Sequence, residues 1–280
     1  MQAMVKWVQL SSLNLDSNIM SGYFPPHNQQ FEQILPKMTA LTELHIKLMS
    51  QCGKLTKVLA ALSPQLEVLD LSYNHLPISP SFCEVLSRMT ALRELDMSWC
   101  SLNDPKVVLL TPALANCHAL TSLHMDYLPL KSGAVVGALV SGLTQLQLLH
   151  LDNFCMKDHE VAELVRSLYH HHHLTSLNLS GNILANETGR ALAKWPQLLC
   201  LEELGLGKLD TSAYADISVV EEALQQSLCF RRIVPSLKEG LVLQQATRDV
   251  CHRNTIRHTT LLSISYDPNR VMGSMLVCKK

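Results

Sequence analysis

The stretch LEVLDLSYNHL at residues 66–76 decides the fold, because leucine stands at its first, fourth and sixth positions. The same spacing returns as LRELDMSWCSL at 92–102, LTSLHMDYLPL at 120–130 and LTSLNLSGNIL at 174–184. Successive side chains of an extended strand point to opposite faces, so each L-x-L segment predicts a short strand with one buried face.

The pattern L-x-x-L-x-L occurs eight times, with Ile46, Met97 or Met125 in place of the third leucine in three of them, and we call each occurrence a rung. The first leucines of the rungs stand at positions 10, 41, 66, 92, 120, 146, 174 and 201. Between rungs, apolar residues such as Val161, Leu164 and Leu168 have helical spacing, and Asp158 stands where a helix is expected to begin. One strand with one helix cannot bury its own apolar face, so the sequence predicts that neighbouring units stack on a continuous core.

These rungs resemble the ribonuclease-inhibitor-like class of leucine-rich repeats. The resemblance implies an α/β leucine-rich-repeat solenoid (a horseshoe) of about eight rungs, with parallel strands on the concave side and helices on the convex side. We expect a repeat array over residues 1–210. The repeat stops beyond Leu206, and we expect a C-terminal cap region of mixed structure over 211–280, with helical spacing from Val219 to Leu228 and a strand in TTLLSISY at 259–266.

Composition excludes several classes of function. Net charge is −1, with 23 Lys+Arg against 24 Asp+Glu, so nucleic acid is not an expected partner. No apolar run is long enough for a membrane span, so no membrane partner is expected. The nine cysteines are odd in number and scattered, which indicates reduced thiols and a cytoplasmic protein, with the nucleus as an alternative.

No pattern typical of catalysis is present. The sequence contains no G-x-x-x-x-G-K-[ST], H-E-x-x-H or G-x-S-x-G motif, so we expect neither an enzyme nor a cofactor. The run His170 to His173 could suggest a metal site, but it lies just before the rung that begins at Leu174. We therefore interpret it as a solvated turn.

The outward positions of the rungs carry the candidate site. Tyr73, Trp99 and Tyr127 occupy the same position in three consecutive rungs, and acidic and histidine residues lie beside them. The residues that follow the third core position, such as Ser72 and Ser98, are also expected to point outward. The predicted partner-binding residues are Asp70, Tyr73, Asp96, Trp99, His124, Asp126, Tyr127, His150 and Asp152. The alternative is that the aromatic side chains pack within the turns of the rungs.

Three functions are compatible with this pattern. The first is a non-catalytic scaffold or adaptor that binds a protein partner on its concave face through aromatic and charged residues. The resemblance implies a second, namely the substrate-receptor subunit of a ubiquitin ligase or the recognition arm of a cytosolic sensor. The third is a metal-dependent enzyme that uses His124, Asp126, His150 and Asp152 as a surface metal site.

Overall fold

The computed structural model describes residues 9–16, 37–47, 55–206, 208–209, 232–234, 261–265 and 275–279. The predicted helical segment from Val219 to Leu228 lies outside the described residues. The chain divides into two compact units, residues 1–128 and 129–280, and each is described by itself.

The first unit contains the strands of the first five rungs, each centred on the second leucine of its rung. These strands are β1 (Ser12–Asn14), β2 (Glu43–His45), β3 (Val68–Asp70), β4 (Glu94–Asp96) and β5 (Ser122–His124). They pair in parallel in chain order, with Leu69 opposite both Leu44 and Leu95. The central leucines of β2 to β5 are buried, whereas the residues on either side of them are exposed or half-buried. The sheet therefore has one face in the core and one open face.

Helices follow the strands of the first unit, and two of these helices have a side chain that caps the N-terminus. These helices are α1 (Leu55–Leu62), α2 (Pro80–Ser87) and α3 (Asp104–Leu114). Ser79 Oγ accepts a hydrogen bond from the Phe82 backbone N–H, and Asn103 Oδ1 accepts one from Lys106. A proline follows in the first turn of each, where its missing N–H costs nothing.

The second unit continues the same alternation of strand and helix. Its helices are α4 (Gly133–Ser141), α5 (Asp158–Ser167) and α6 (Asn186–Ala193). Its strands are β6 (Leu148–His150), β7 (Ser176–Asn178), β8 (Ile183–Leu184), β9 (Glu203–Gly205), β10 (Lys208–Leu209), β11 (Arg232–Val234), β12 (Leu261–Ser265) and β13 (Met275–Lys279). Strands β6, β7, β9 and β11 are parallel, while β13 pairs antiparallel with β11 and β12. Strand β12 lies within the predicted TTLLSISY segment.

Buried polar side chains satisfy the backbone where the strands end. Asn74 Nδ2 donates to the carbonyl oxygens of Ile46 and Leu71 at 2.7 and 2.8 Å. Cys100, which replaces asparagine in the next rung, donates its thiol to the same Leu71 oxygen at 3.1 Å. Asn182 repeats the arrangement in the second unit. These carbonyl oxygens at the strand ends therefore have hydrogen-bond donors, which buried backbone groups require.

The α/β class predicted from the rungs is confirmed, and each of the eight predicted rungs contains a strand. Among the described residues, none of the helices has the length and apolar character needed to cross a membrane.

Candidate protein-binding surface

The backbone of the first unit turns sharply three residues after each of strands β3, β4 and β5. Tyr73, Trp99 and Tyr127 occupy these turns with φ angles of 60°, 58° and 58°. The corresponding positions of the next two rungs hold Asn153 and Gly181, at 57° and 69°. Glycine and asparagine adopt this left-handed conformation readily, whereas a bulky side chain does so at a cost of roughly 1–2 kcal/mol.

The three aromatic rings stack on one another, and we call them the aromatic stack. Ring centroids of Tyr73 and Trp99 are 5.3 Å apart, and those of Trp99 and Tyr127 are 4.1 Å apart, with interplanar angles of 11° and 16°. Lys47 Nζ lies over the Tyr73 ring, 4.8 Å from its centroid. Tyr73 and Trp99 nevertheless remain 42% and 43% exposed, so packing in the turns does not remove the rings from solvent.

The turns are held by aspartates at the ends of the strands. Asp70 Oδ1 accepts a hydrogen bond from the Ser72 backbone N–H at 2.9 Å, and Asp96 Oδ1 accepts one from Ser98 at 2.8 Å. The prediction that Ser72 and Ser98 point outward was wrong, since both are buried. Side chains alternate between the two faces of the sheet only within the strand. Beyond the strand the backbone turns, because the N–H of each serine donates a hydrogen bond to the aspartate two residues earlier.

The open face of the first-unit sheet is acidic between β2 and β5, and we call it the strand face. Eight side chains in matched register form it: Glu43, His45, Val68, Asp70, Glu94, Asp96, Ser122 and His124. Four of them are carboxylates, and none is lysine or arginine. His45 Nδ1 lies 3.8 Å from Asp70 Oδ2, and His124 Nε2 lies 3.2 Å from Ser122 Oγ.

Sequence reasoning missed Glu43 and Glu94 as members of this surface. Both are exposed and stand immediately before the second leucine of their rungs. Strand alternation predicts that this position points outward, so the signal that could have found them was present in the rung itself.

Seven of the nine predicted partner-binding residues lie in the first unit, at or just after the ends of β3, β4 and β5. His150 and Asp152 lie in the second unit, at the end of β6 and two residues beyond it. Burial raises the pKa of Asp152, and hydrogen bonds from Asn153 partly oppose this effect. Asn153 Nδ2 donates to Asp152 Oδ1 at 2.8 Å.

The histidine run behaves as a solvated turn except at one position. His170, His172 and His173 are exposed, but His171 is fully buried. Its Nε2 is 2.9 Å from the Val140 carbonyl oxygen, while Nδ1 has no hydrogen-bond partner among the described residues. Burial lowers the pKa of His171. This histidine therefore packs as a core residue of the second unit.

Comparison with known proteins identifies the repeat. The family model described as Leucine Rich Repeat matches residues 65–86, which include Tyr73. A curated relative, leucine-rich repeat-containing protein 14 of Xenopus laevis, is 32% identical over 148 residues, which cover 50% of this chain and 28% of the relative. The match to this chain therefore spans less than a third of the length of that relative.

One solved structure supports this fold. The leucine-rich repeat-containing protein LegL7 from Legionella pneumophila aligns over 88% of this chain and 82% of its own, with a TM-score of 0.54 and 17% identity. Internalin C2 from Listeria monocytogenes aligns over 66% of this chain and 69% of its own, with a TM-score of 0.45 and 20% identity. The Leucine Rich Repeat match and the LegL7 alignment show that the chain carries a leucine-rich repeat and has the corresponding α/β fold.

Proposed function

We propose that this chain is a non-catalytic protein-binding module, a scaffold or adaptor, that holds its partner on the strand face and the aromatic stack of the first unit. Leucine-rich repeats generally mediate protein–protein interaction, and their stacked units offer extended surfaces for it. The ribonuclease-inhibitor-like subclass, a repeat array over 1–210 and a C-terminal cap over 211–280 are part of the same proposal.

The observation that carries the proposal is the exposed aromatic stack in left-handed turns. Trp99 is 43% exposed at a φ of 58°, where the equivalent position of another rung has asparagine. Folding alone would be served as well by asparagine or glycine, because the leucine core lies beneath the turn. Tryptophan and tyrosine are the residues most often found to dominate binding energy at protein interfaces.

The fixed position of the Trp99 ring also supports a binding role for the aromatic stack. The Trp99 ring is stacked on both sides, by Tyr73 and by Tyr127, so its position is set before any partner arrives. A side chain that is already ordered loses little rotamer freedom on binding, and this saves roughly 0.5–1.5 kcal/mol for each one. The stack therefore offers a preorganised anchor.

Charged residues around the stack would act at the rim of the interface. Asp70, Asp96, His124 and Asp126 lie on the strand face or in the turns beside the rings. We also propose His150 and Asp152, which lie in the second unit, as partner-binding residues. Charges at a rim steer association and set specificity more than they add affinity.

The experiment compares proteins captured by the immobilised full chain with those captured by two variants. One variant is Trp99→Ala, and the other is Glu163→Gln, a change on the exposed side of α5 in the second unit. We expect a set of proteins that the wild type and Glu163→Gln retain and that Trp99→Ala loses although its melting curve shows that it is folded at the temperature of the assay. Equal capture by a folded Trp99→Ala variant would contradict the proposal. A transition metal present in stoichiometric amount in the purified protein would favour the enzyme alternative instead.

A further inference from the structure

We propose that the partner presents an extended basic segment to the strand face, with arginine side chains paired to the carboxylates of Asp70, Glu94 and Asp96. This inference rests on the proposed function, because it names the kind of protein that the aromatic stack and the strand face would hold.

The charge of the strand face differs from that of the whole chain. The chain as a whole has a net charge of −1, whereas the strand face carries four carboxylates among eight side chains and has neither lysine nor arginine. Arg93 and Glu67, which form an ion pair at 3.4 Å, come just before the strands and are not among these eight residues. A cationic partner complements such a face, and an anionic partner is repelled by it.

The carboxylates at the ends of the strands are fixed in place. Asp70 and Asp96 each use Oδ1 to hold the turn that follows. They stand opposite each other in the register of β3 and β4, where neighbouring strands lie about 4.8 Å apart. Glu94 lies two residues before Asp96 on the same open face. Fixed acceptors that share one face bind a cation at a small cost in conformational entropy.

Arginine matches this arrangement better than lysine. Its planar guanidinium has five donors in a fork, which matches a carboxylate through two parallel hydrogen bonds. It is also weakly hydrated and packs well against aromatic rings. The chain already places one cation on the stack, since Lys47 lies over Tyr73, so the region next to the strand face accepts positive charge.

The exposed parts of the aromatic stack complete the surface. Trp99 is stacked on both faces, so a partner reaches the edge of this ring and not its faces. This exposed ring edge can contact the aliphatic part of a long side chain, or an apolar residue next to an arginine. The predicted segment therefore alternates basic and apolar or aromatic residues.

The test uses the full chain and a fluorescein-labelled peptide in which arginine alternates with alanine around a central tyrosine. Three matched peptides replace arginine with lysine, with citrulline, which has nearly the same shape without the charge, or with glutamate. Fluorescence anisotropy is measured at low and at raised salt. The protein variants are Glu94→Gln, Trp99→Ala and the charge-matched control Glu163→Gln, and melting temperatures are recorded for all of them.

We expect the arginine peptide to bind most tightly, the lysine peptide more weakly and the citrulline peptide weaker still, with binding that decreases as salt rises. Glu94→Gln should weaken binding of the arginine peptide at least threefold, and Glu163→Gln should leave it unchanged. Three results would overturn the inference: no binding of the arginine peptide at low salt, equal binding of the citrulline peptide, or equal losses from Glu94→Gln and Glu163→Gln. If one of these results is found while Trp99→Ala still loses captured proteins, the proposal of a protein-binding module is supported. Only the inference of a basic partner is then wrong.

Discussion

The carboxylate of Asp158 accepts a hydrogen bond from the backbone N–H of Thr188, thirty residues further along the chain, at 3.0 Å. It also accepts hydrogen bonds from the N–H groups of Ala185 and Glu187, at 2.7 and 2.8 Å. Helix α6 has no side-chain cap of its own, because the residue at its N-cap is Ala185. One carboxylate of α5 thus caps the first turn of the next helix in the second unit.

Replacing Asp158 with alanine should lower the free energy of unfolding by about 2–3 kcal/mol, because three backbone donors lose a charged acceptor. Asp158→Asn should cost less, since its amide oxygen can still accept. Urea unfolding of both variants measures the difference. A loss below about 0.5 kcal/mol for the alanine variant would show that water replaces the carboxylate.

A comparison of the rungs with the capping of α6 by Asp158 shows which features the sequence could predict. The spacing of leucines is local, so the strands around Leu69 and Leu95 could be placed from the pattern alone. Asp158 was predicted only as the start of its own helix, because nothing in the local sequence names a partner thirty residues away. The aromatic stack was predictable from register, but the left-handed turn at Trp99 and the burial of Ser98 were not. Both depend on a hydrogen bond that Asp96 makes after the strand has ended.

Gly133→Ala should destabilise the second unit by more than about 2 kcal/mol, since a Cβ at this position would overlap the Glu160 carbonyl oxygen. That oxygen belongs to the backbone of α5, so the two helices would have to separate. Gly137→Ala is the matched control on the same helix. Its Cβ would meet Ser167 Oγ at 2.8 Å and Ser167 Cβ at 2.9 Å, a milder overlap than the one at Gly133, so its loss of stability should be the smaller of the two. Equal losses for both variants, measured by thermal and urea unfolding, would argue against a rigid contact at Gly133.

The stability of the protein should fall in mild acid because of His171. Burial lowers the pKa of this histidine in the folded state, and the neighbouring His170 and His172 lower it further. The unfolded chain therefore binds more protons as pH falls through about 6.5, the ordinary value for histidine. The stabilisation that the neutral His171 gives the folded state is fully present above that pH. It is lost as the pH falls toward the pKa of His171 in the folded protein.

His171→Gln removes this titration while leaving an amide donor for the Val140 oxygen. The decrease in unfolding free energy between pH 7.5 and pH 5.5 should be smaller in this variant than in the wild type. His118→Gln, a change at an exposed histidine, should leave the decrease unaltered. An unchanged pH dependence in His171→Gln would mean that other groups cause it.

Leu95→Asp should make the first unit insoluble or cost several kcal/mol, because it buries a carboxylate without a partner. Leu95 is fully buried between Leu69 and Leu123 on the neighbouring strands. Glu94→Asp, one residue away on the open face, is the control and should be tolerated. Soluble expression and thermal melting measure the difference, and an unaltered melting temperature for Leu95→Asp would mean that the core does not run through this strand.

Trp99→Asn and Trp99→Ala separate the role of the ring in binding from its role in the fold. Both substitutions remove two stacked contacts, each worth about 0.5–1.5 kcal/mol. Only asparagine also relieves the left-handed backbone, as Asn153 does in its own rung. Trp99→Asn should therefore lie within about 1 kcal/mol of the wild type in stability, and Trp99→Ala should be less stable than Trp99→Asn by about 1 kcal/mol.

Both variants should nevertheless lose at least about 2 kcal/mol of affinity for a captured partner, because each lacks the exposed anchor. Urea unfolding and a binding titration on the same preparations measure the two quantities. If Trp99→Asn is less stable than Trp99→Ala, the backbone argument is wrong and the ring stabilises the turn itself. If Trp99→Asn is as stable as the wild type and still binds fully, the partner docks elsewhere, since a folded module without the tryptophan would then have lost nothing.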